Sequence, residues 1–212
     1  IESLRRANAA IDSDAFADEV VPVTFSTRKG EVTVEHDEQP GKGRPDKIPQ
    51  LRPAFAKDGT ITAATSSSIS DGAAAVVLSR ESVAKANGQQ PVAKIVAMAA
   101  HAQEPAQFTV APIGAIEKVL DKAGWSADEV ELWEVNEAFA CVAMFAMRDI
   151  GIPHDKINVN GGGTALGHPI GASGTRIIVT LLNALKQQGK KRGVASLCIG
   201  GGEATAVAVE LV

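Results

Sequence analysis

The stretch GVASLCIGGGEATAVAVELV, residues 193–212, decides the fold class, because it predicts two apolar strands joined across the turn Gly200–Gly202. Upstream of this hairpin, short apolar strand patterns alternate with longer stretches of helical periodicity. The predicted strands are residues 91–102, 130–135 and 156–160, and the predicted helices are residues 111–124, 136–151 and 173–189. This alternation indicates an α/β fold with a mainly parallel sheet.

The N-terminal part of the chain is less regular. Residues 1–11 have helical spacing, and a short strand is predicted at residues 19–25. The polar residues 26–49, interrupted by proline and glycine, are typical of an exposed excursion. A serine-rich loop then leads into the apolar run Ala73–Leu78, which we expect to be a buried strand, and into a short helix ending near Gly88.

Bulk composition excludes several classes of protein. The 212 residues are 45% apolar and 22% charged, as in ordinary globular proteins, and the net charge of −4 argues against a nucleic-acid partner. No apolar run approaches the roughly 20 residues that span a bilayer, so no membrane partner is expected. Two cysteines are too few for a disulfide framework, which favours the cytoplasm. Four scattered histidines offer no ligand spacing, so we expect no metal site.

The glycine-rich stretch NVNGGGTALGHPIGASG, residues 158–174, matches neither common phosphate-binding loop. His168 and Pro169 stand where a Walker A loop needs Lys and Ser or Thr, and Leu166 replaces the third glycine of the dinucleotide pattern. Pro169 restricts His168 to an extended backbone, which would hold the imidazole as a general base or an oxyanion donor. A turn histidine without a chemical role is the alternative.

Three further segments could carry chemistry. Cys198 ends an apolar strand before a triple-glycine turn whose N–H groups could bind a developing negative charge, or it is a buried structural cysteine. Asn136 either caps a helix or directs its amide into a cleft. Cys141 lies among apolar neighbours and is expected in the core. The serine-rich segment TAATSSSISDG, residues 62–72, is either a simple turn or the polar rim of a ligand site.

In this order, NEAFA, NGGGTALGHPIGASG and CIGGG resemble the C-terminal signature of the thiolase family, in its acetyl-CoA acetyltransferase (acetoacetyl-CoA thiolase) branch. LRPAFAKDGTITAATSSSISDGAAAVVLS resembles the stretch that borders the coenzyme A site, and QEPAQFTVAP is also similar. The resemblance implies a layered α/β/α fold built from two βαβαβαββ halves. Residues 91–212 would form one complete half. Residues 1–70 would belong to the loop domain bordering the coenzyme A site, and residues 71–90 would be the closing strand and helix of the other half.

The resemblance also implies an acyltransferase that catalyses reversible Claisen condensation and thiolysis of acetyl-CoA and acetoacetyl-CoA, a 3-ketoacyl-CoA. His168 matches the histidine that activates the nucleophile, and Cys198 matches the cysteine that exchanges the α-proton. Asn136 matches the asparagine that orients a water in one oxyanion site, and Gly200 offers an N–H to the other. The implied coenzyme A contacts are Ser67, Ala63, Ala54, Phe55, Ala138 and Phe139.

Two departures from the family pattern qualify these expectations. Neither Cys141 nor Cys198 matches the family's nucleophilic cysteine, and the chain begins without Met inside a helical pattern. We therefore expect a C-terminal part that lacks the N-terminal half and is inactive in isolation. Thr65 and Ser70 stand where the family often has asparagines, so the polar contacts of that loop would differ.

Two alternatives to a thiolase remain open at this stage. GHPIGASG resembles a segment of β-ketoacyl synthases. Those enzymes use a second histidine where thiolases use the cysteine of CIGGG, so this motif favours a thiolase. A non-catalytic carrier or interaction protein of the same fold is the other alternative. As partners, the resemblance implies coenzyme A thioesters as substrates, no tightly bound cofactor, and a homo-oligomer, either a dimer or a tetramer. It also implies a place in fatty acid metabolism.

Overall fold

The computed structural model describes all 212 residues and contains six α-helices and six strands. The helices are α1 (Glu2–Asp12), α2 (Glu81–Ala86), α3 (Ala111–Ala123), α4 (Ala140–Ile150), α5 (Gly163–Leu166) and α6 (Ser173–Gln187). The strands are β1 (Val23–Thr27), β2 (Gly30–Val34), β3 (Ala93–Ala102), β4 (Leu132–Val135), β5 (Arg192–Ile199) and β6 (Glu203–Leu211). None of these helices combines the length and the apolar character needed to cross a membrane.

The main sheet has the strand order β3-β6-β5-β4. The predicted hairpin is confirmed, since β5 and β6 pair antiparallel up to the Ile199–Glu203 pair at the turn. The prediction of a mainly parallel sheet needs correction, because β4–β5 is the only parallel pair between named strands. The hairpin folds β6 back between β5 and β3, so β6 runs against both neighbours while β3, β4 and β5 share one direction.

Helices cover the two faces of this sheet, and consecutive β4 residues point to opposite sides. Leu132 packs with Ile177 and Leu181 of α6, whereas Trp133 packs into the larger core with residues of α3 and α4. Side chains of a strand alternate between the two faces of the sheet, and in β4 the residues on both faces are buried. The result is a helix–sheet–helix arrangement, as the α/β prediction requires.

The predicted strand at residues 156–160 does not form. Only Ile157 makes a parallel bridge, to Trp133. Asn158 then adopts a left-handed φ of 46°, and its amide binds the edge of β4 by accepting from Val135 N and donating to Val135 O, both at 2.8 Å. A side chain therefore replaces the backbone ladder, which stops after one residue.

The apolar run Ala73–Leu78 is neither a strand nor buried, contrary to the prediction. Val77 is 97% exposed and Leu78 is 72% exposed. An extended apolar segment becomes a strand only where another strand accepts its hydrogen bonds, and none lies beside this one. Of the predicted strand and helix in residues 71–90, the structure contains the helix, α2.

The short strand predicted at residues 19–25 forms in part as β1 (Val23–Thr27), whereas its partner β2, within the exposed excursion at residues 26–49, was not predicted. β1 and β2 form an antiparallel hairpin in which every residue is exposed. The predicted N-terminal helix is confirmed as α1, which buries Leu4 and Ala7 in a small cluster with Ala165 of α5. This cluster holds α1 against the glycine-rich stretch and therefore beside the candidate site.

Candidate functional site

The candidate residues gather at the carboxyl edge of the main sheet. Asn136 follows β4, Cys198 lies one residue before the end of β5, and Gly200 opens the hairpin turn. β4 and β5 are parallel neighbours, and Asn136 N donates to Ser196 O at 2.9 Å, so these positions lie at one edge. In α/β sheets, ligands bind at the carboxyl ends of the strands.

The glycine-rich stretch brings His168 to the same edge. Gly163 passes beside Asn136, since a Cβ on this glycine would lie 3.2 Å from Asn136 Oδ1. Gly167 has a left-handed φ of 83°, and a side chain there would collide with Ser70. Glycine is therefore required at this position for the chain to turn into His168.

The serine-rich segment connects the NEAFA motif to His168. Ser67 donates to Ala138 O from both its backbone N and its Oγ, each at 3.0 Å. One residue later, Ser68 O accepts a hydrogen bond of 2.9 Å from His168 N. Residues 66–70 therefore lie between the two motifs as a short extended segment that pairs with each of them, through Phe139 on one side and His168 on the other.

His168 has one nitrogen bound to the protein and the other free of it. Its Nδ1 lies 2.6 Å from Ser173 Oγ at the start of α6. Its Nε2 has no hydrogen-bond partner in the protein and is not among the buried polar atoms. Partial burial, and then the positive charge of Arg176, lower the pKa of His168, so its imidazole is neutral at pH 7. A neutral imidazole with an open nitrogen can accept a proton from a nucleophile.

Cys198 is buried with 8% exposure and packs in the larger core. Burial raises its pKa, and the nearby Cys141 adds to the effect. Desolvation of the thiolate is the largest cause of this shift within the chain. Cys198 is therefore a neutral thiol at pH 7. Cys141 was predicted in the core, but it is only half-buried on α4 and belongs to none of the core clusters. Burial also raises its pKa.

Asn136 is not a helix cap. α4 begins at Ala140 with Phe139 in the N-cap position, so Asn136 lies outside the helix. Its side chain is buried with 1% exposure, and neither Oδ1 nor Nδ2 has a hydrogen-bond partner in the protein. Buried amides are normally hydrogen-bonded, so this one is suited to hold a water or a substrate oxygen.

Gly200 offers a backbone donor at the tip of the hairpin. Gly202 N closes the turn on Ile199 O at 3.2 Å, and Gln103 N donates to Gly202 O at 3.0 Å. The N–H of Gly200 donates to no acceptor in the protein, and the space where a side chain would begin is open. An exposed N–H held by a closed turn can stabilise an oxyanion.

The residues expected to contact coenzyme A fall into two groups. Ser67, Ala138 and Phe139 are half-buried and joined by the contacts described above, and Phe139 packs edge-to-face on Phe108 with ring centroids 6.0 Å apart. The remaining three, Ala54, Phe55 and Ala63, are exposed and lie earlier in the chain than Ser67. No hydrogen bond joins them to the first group directly.

The two positions that depart from the family pattern bond locally. Thr65 Oγ1 accepts from Thr62 N at 2.8 Å and so caps its own turn. Ser70 Oγ lies 3.1 Å from Ser68 Oγ. Both side chains are thus engaged within the loop.

Glu137, which was not among the predicted site residues, connects three segments at the site. Its carboxylate accepts from Ser3 Oγ at 2.7 Å, from Thr164 Oγ1 at 2.6 Å and from Asn158 Nδ2 at 2.9 Å. These bonds join α1, α5 and the turn after Ile157. A carboxylate between a buried strand and the apolar residues of the NEAFA stretch was the available signal, because a buried charge needs several donors.

A second missed group lies beneath the site. Glu134, in β4, is 2% exposed, and its Oε2 is 3.5 Å from Arg176 Nη1 on α6. Burial outweighs the attraction of Arg176 and raises the pKa of Glu134 to about 8. At neutral pH this carboxyl is therefore mostly protonated. A glutamate in the middle of a buried apolar strand was the available signal.

Comparisons with known proteins show the family to which the chain is similar. Residues 1–82 match the family model described as "Thiolase, N-terminal domain", and residues 89–211 match "Thiolase, C-terminal domain". An acetyl-CoA acetyltransferase of Yarrowia lipolytica is 50% identical over 212 residues, which are 100% of this chain and 53% of that protein.

Two solved structures share the fold. The acetyl-CoA acetyltransferase of Bacillus anthracis superposes with a TM-score of 0.96 at 41% identity, over 99% of this chain and 54% of that one. A thiolase from Ascaris suum, solved in complex with coenzyme A, superposes with a TM-score of 0.89 at 38% identity, over 100% of this chain and 54% of that one. The layered α/β/α arrangement described above is therefore the thiolase fold.

The expectation that the chain lacks the N-terminal half is not supported, because residues 1–82 match the model of the thiolase N-terminal domain. The chain spans about half the length of the curated relatives it matches.

Proposed function

We propose, from the premise that this chain belongs to the thiolase family, that the whole protein is an acetyl-CoA C-acetyltransferase. It would join two molecules of acetyl-CoA into acetoacetyl-CoA and coenzyme A, and catalyse the reverse thiolysis. The observation that carries this proposal is that Asn136, Cys198 and Gly200 lie at one edge of the sheet, while a serine-rich segment pairs with Phe139 of the NEAFA motif and with His168.

In the first step, His168 Nε2 accepts the proton of the nucleophilic thiol, which then attacks the carbonyl carbon of acetyl-CoA. The acetyl group passes to the enzyme, and coenzyme A leaves with a proton. The open Nε2 and the lowered pKa of His168 support this role, because a base must be unprotonated when it acts. The proposal assigns the nucleophile to neither Cys141 nor Cys198.

In the second step, Cys198 exchanges the α-proton of the second acetyl-CoA. The thiolate removes this proton, and the resulting carbanion attacks the acetyl carbon. A carbon–carbon bond then forms while the thioester to the enzyme breaks. In thiolysis, the neutral thiol returns the proton to the departing carbanion, and the raised pKa of Cys198 supports this donor role. Condensation requires the thiolate form of Cys198. Bound substrate must therefore favour this thiolate more strongly than the residues of this chain do by themselves.

Both steps place negative charge on a thioester oxygen. Asn136, which has no protein partner, would hold a water that hydrogen-bonds one oxyanion together with His168. The free N–H of Gly200 would donate to the other oxyanion. Loss of one such donor typically lowers the rate by about 10²–10³.

The serine-rich segment and its partners would bind the pantetheine arm of coenzyme A. Ser67, Ala138 and Phe139 are held together near His168, which is where a thioester carbon must lie. Ala54, Phe55 and Ala63 would contact the same arm further out. The 79% exposure of Phe55 supports this role, since an exposed aromatic ring is free to pack on a ligand. The coenzyme A bound to the Ascaris suum thiolase supports the same ligand here.

Wider properties follow as part of the same proposal. Residues 1–70 would act as the loop domain, residues 71–90 as the end of the N-terminal unit, and residues 91–212 as the C-terminal thiolase domain. The protein would be a cytoplasmic homo-oligomer, a dimer or a tetramer, that acts in fatty acid metabolism on coenzyme A thioesters without a tightly bound cofactor.

The test is thiolysis of acetoacetyl-CoA by the whole protein, followed as acetyl-CoA formed per coenzyme A consumed. We expect His168→Ala to lower kcat by about 10²–10⁴, the usual contribution of a positioned general base. His154→Ala is the matched control, because His154 is exposed and lies away from the sheet edge. Absence of thiolysis, or equal rates for the two variants, would reject the proposal.

A further inference from the structure

We propose that Ser173 is a positioning residue that holds the His168 imidazole in the tautomer with hydrogen on Nδ1, leaving Nε2 as the proton acceptor. The use of Nε2 as a base rests on the proposed function. The tautomer itself follows from contacts within this chain, so it can be measured without activity.

The hydroxyl of Ser173 has two neighbours and a single hydrogen. Its Oγ lies 2.6 Å from His168 Nδ1 and 3.1 Å from Pro169 O. The carbonyl oxygen of Pro169 can only accept, so a hydrogen bond there must use the hydroxyl hydrogen of Ser173. The contact with His168 then requires Nδ1 to carry a hydrogen and donate it to Oγ.

The opposite tautomer satisfies fewer contacts. If Ser173 donated to an unprotonated Nδ1, the two oxygens of Ser173 and Pro169 would face each other without a hydrogen between them. The Pro169 carbonyl cannot turn away easily, because it also accepts from Ala172 N and Ser173 N, both at 2.8 Å. The Ser173 hydroxyl therefore forms a hydrogen bond at both of its contacts only when His168 is the Nδ1–H tautomer.

Burial prevents water from taking over the task of Ser173. The residue has 0% exposure, so its hydroxyl must use the partners that the protein supplies. The two partners precede Ser173 by only four or five residues, in the turn that leads into α6. The start of the helix thus sets the direction of the imidazole, with Nε2 on its open side.

A hydroxyl orients the ring without adding a negative charge. A carboxylate in this position would favour the imidazolium and raise the pKa of His168. Burial and the charge of Arg176 instead lower that pKa. A serine is therefore the type of partner that keeps a base both oriented and unprotonated.

Nitrogen NMR of the protein tests the tautomer directly. Long-range ¹H–¹⁵N correlation spectra of ¹⁵N-labelled protein at pH 8 distinguish Nδ1–H from Nε2–H imidazoles, and the signals missing from His168→Gln identify His168. We expect the Nδ1–H pattern in the unsubstituted protein. An Nε2–H pattern would overturn the inference, and this outcome needs no variant at Ser173.

Two variants then test the role of Ser173. In Ser173→Ala we expect a mixture of both tautomers and a kcat for thiolysis about 10- to 100-fold lower, part of what a positioned base contributes, with little change in KM. Thr175→Val is the control, because Thr175 lies on the same helix and takes no part in this hydrogen-bond pair. An unchanged tautomer in Ser173→Ala would refute the positioning role.

The outcomes separate this inference from the proposed function. Thiolysis by a protein whose His168 carries its hydrogen on Nε2 would reject the inference alone. An Nδ1–H tautomer in a protein without thiolysis would reject the proposed function alone.

Discussion

The turn that carries His168 and the strand end that carries Cys198 are both desolvated, and the consequence is opposite in sign. Burial lowers the pKa of His168 and raises the pKa of Cys198. Each shift favours the uncharged form, because a charge loses solvation on burial. The site at rest therefore holds a neutral base and a neutral acid.

The two regions differ in how they direct their reactive atoms. His168 is held by Ser173 on one side and by the backbone of Ser68 on the other, with Nε2 left open. Cys198 is placed by the β5–β6 ladder, opposite Ala204, and its side chain packs among apolar residues. The turn thus provides hydrogen-bonded orientation, whereas the strand provides a fixed position and a low polarity. This comparison can be tested at three places.

The largest expected effect is on the strand side. Cys198→Ser keeps the size of the side chain but replaces the thiol by a hydroxyl that cannot lose its proton near neutral pH. We expect thiolysis by the whole protein to fall by about 10²–10⁴, the range of general acid–base catalysis. Cys141→Ser is the matched control, and we expect it to change the rate by less than about threefold. Similar losses in both variants would indicate a packing effect.

A smaller effect concerns the buried carboxyl group of Glu134, which lies beneath the site. The pKa of Glu134 is raised to about 8 in the folded protein, so its stabilising contribution is complete below the unfolded value near 4.5 and is lost as pH rises through about 8. Relative to Glu134→Gln, the free energy of unfolding of the unsubstituted protein should fall between pH 5 and 8, by about 2–4 kcal/mol. Urea unfolding at several pH values measures this difference.

Glu131 supplies a control of opposite sign in the same region. It accepts from Lys191 N at 2.7 Å and from Arg192 N at 3.0 Å, and its pKa is lowered, with the bond to Lys191 as the largest cause. Its contribution is therefore present above its unfolded pKa and lost as pH falls through the folded value. Glu131→Gln should change stability mainly at acidic pH. A pH dependence that is the same for both variants would contradict the assignment for Glu134.

The smallest effect is in the turn that holds His168. Gly167→Ala should lower the free energy of unfolding by about 1–3 kcal/mol, because φ is +83° and the new Cβ would meet Ser70. Gly171→Ala in the same stretch should change it by less than about 0.5 kcal/mol, since the space there is open. Equal stabilities in thermal or urea unfolding would show that the turn tolerates a side chain at Gly167.

Sequence patterns predicted the elements whose cause is local. The apolar spacing of α6 and the glycine that ends α3, with φ 68° at Gly124, were sufficient for those helices. Prediction failed where another segment supplies or withholds hydrogen bonds. Asn158 replaces a strand by side-chain bonds to β4, and Ala73–Leu78 has no neighbouring strand. Neither outcome can be seen in the apolar pattern alone.

The features of the candidate site also divide into those that the sequence predicted and those that depend on contacts between distant residues. The order of the three motifs already singled out His168, Asn136 and Cys198, because the types of residue needed for proton transfer and oxyanion binding are visible in a sequence. The contacts of Glu137 and the pairing of Ser67 with Ala138 were not visible, since they join residues far apart in the chain. The direction of the pKa shift of Cys198 was not visible either, because it depends on how deeply the fold buries the thiol.

By itself, the sequence determined the alternation of strands and helices, the glycine hairpin and the residue types of the site, since each depends on neighbours along the chain. Only the tertiary structure decided that β6 lies between β3 and β5, that Asn136 is a buried amide without a protein partner, and that His168 leaves Nε2 open. The physical reason is that desolvation and hydrogen bonding act between groups that folding brings together, whatever their separation in the sequence.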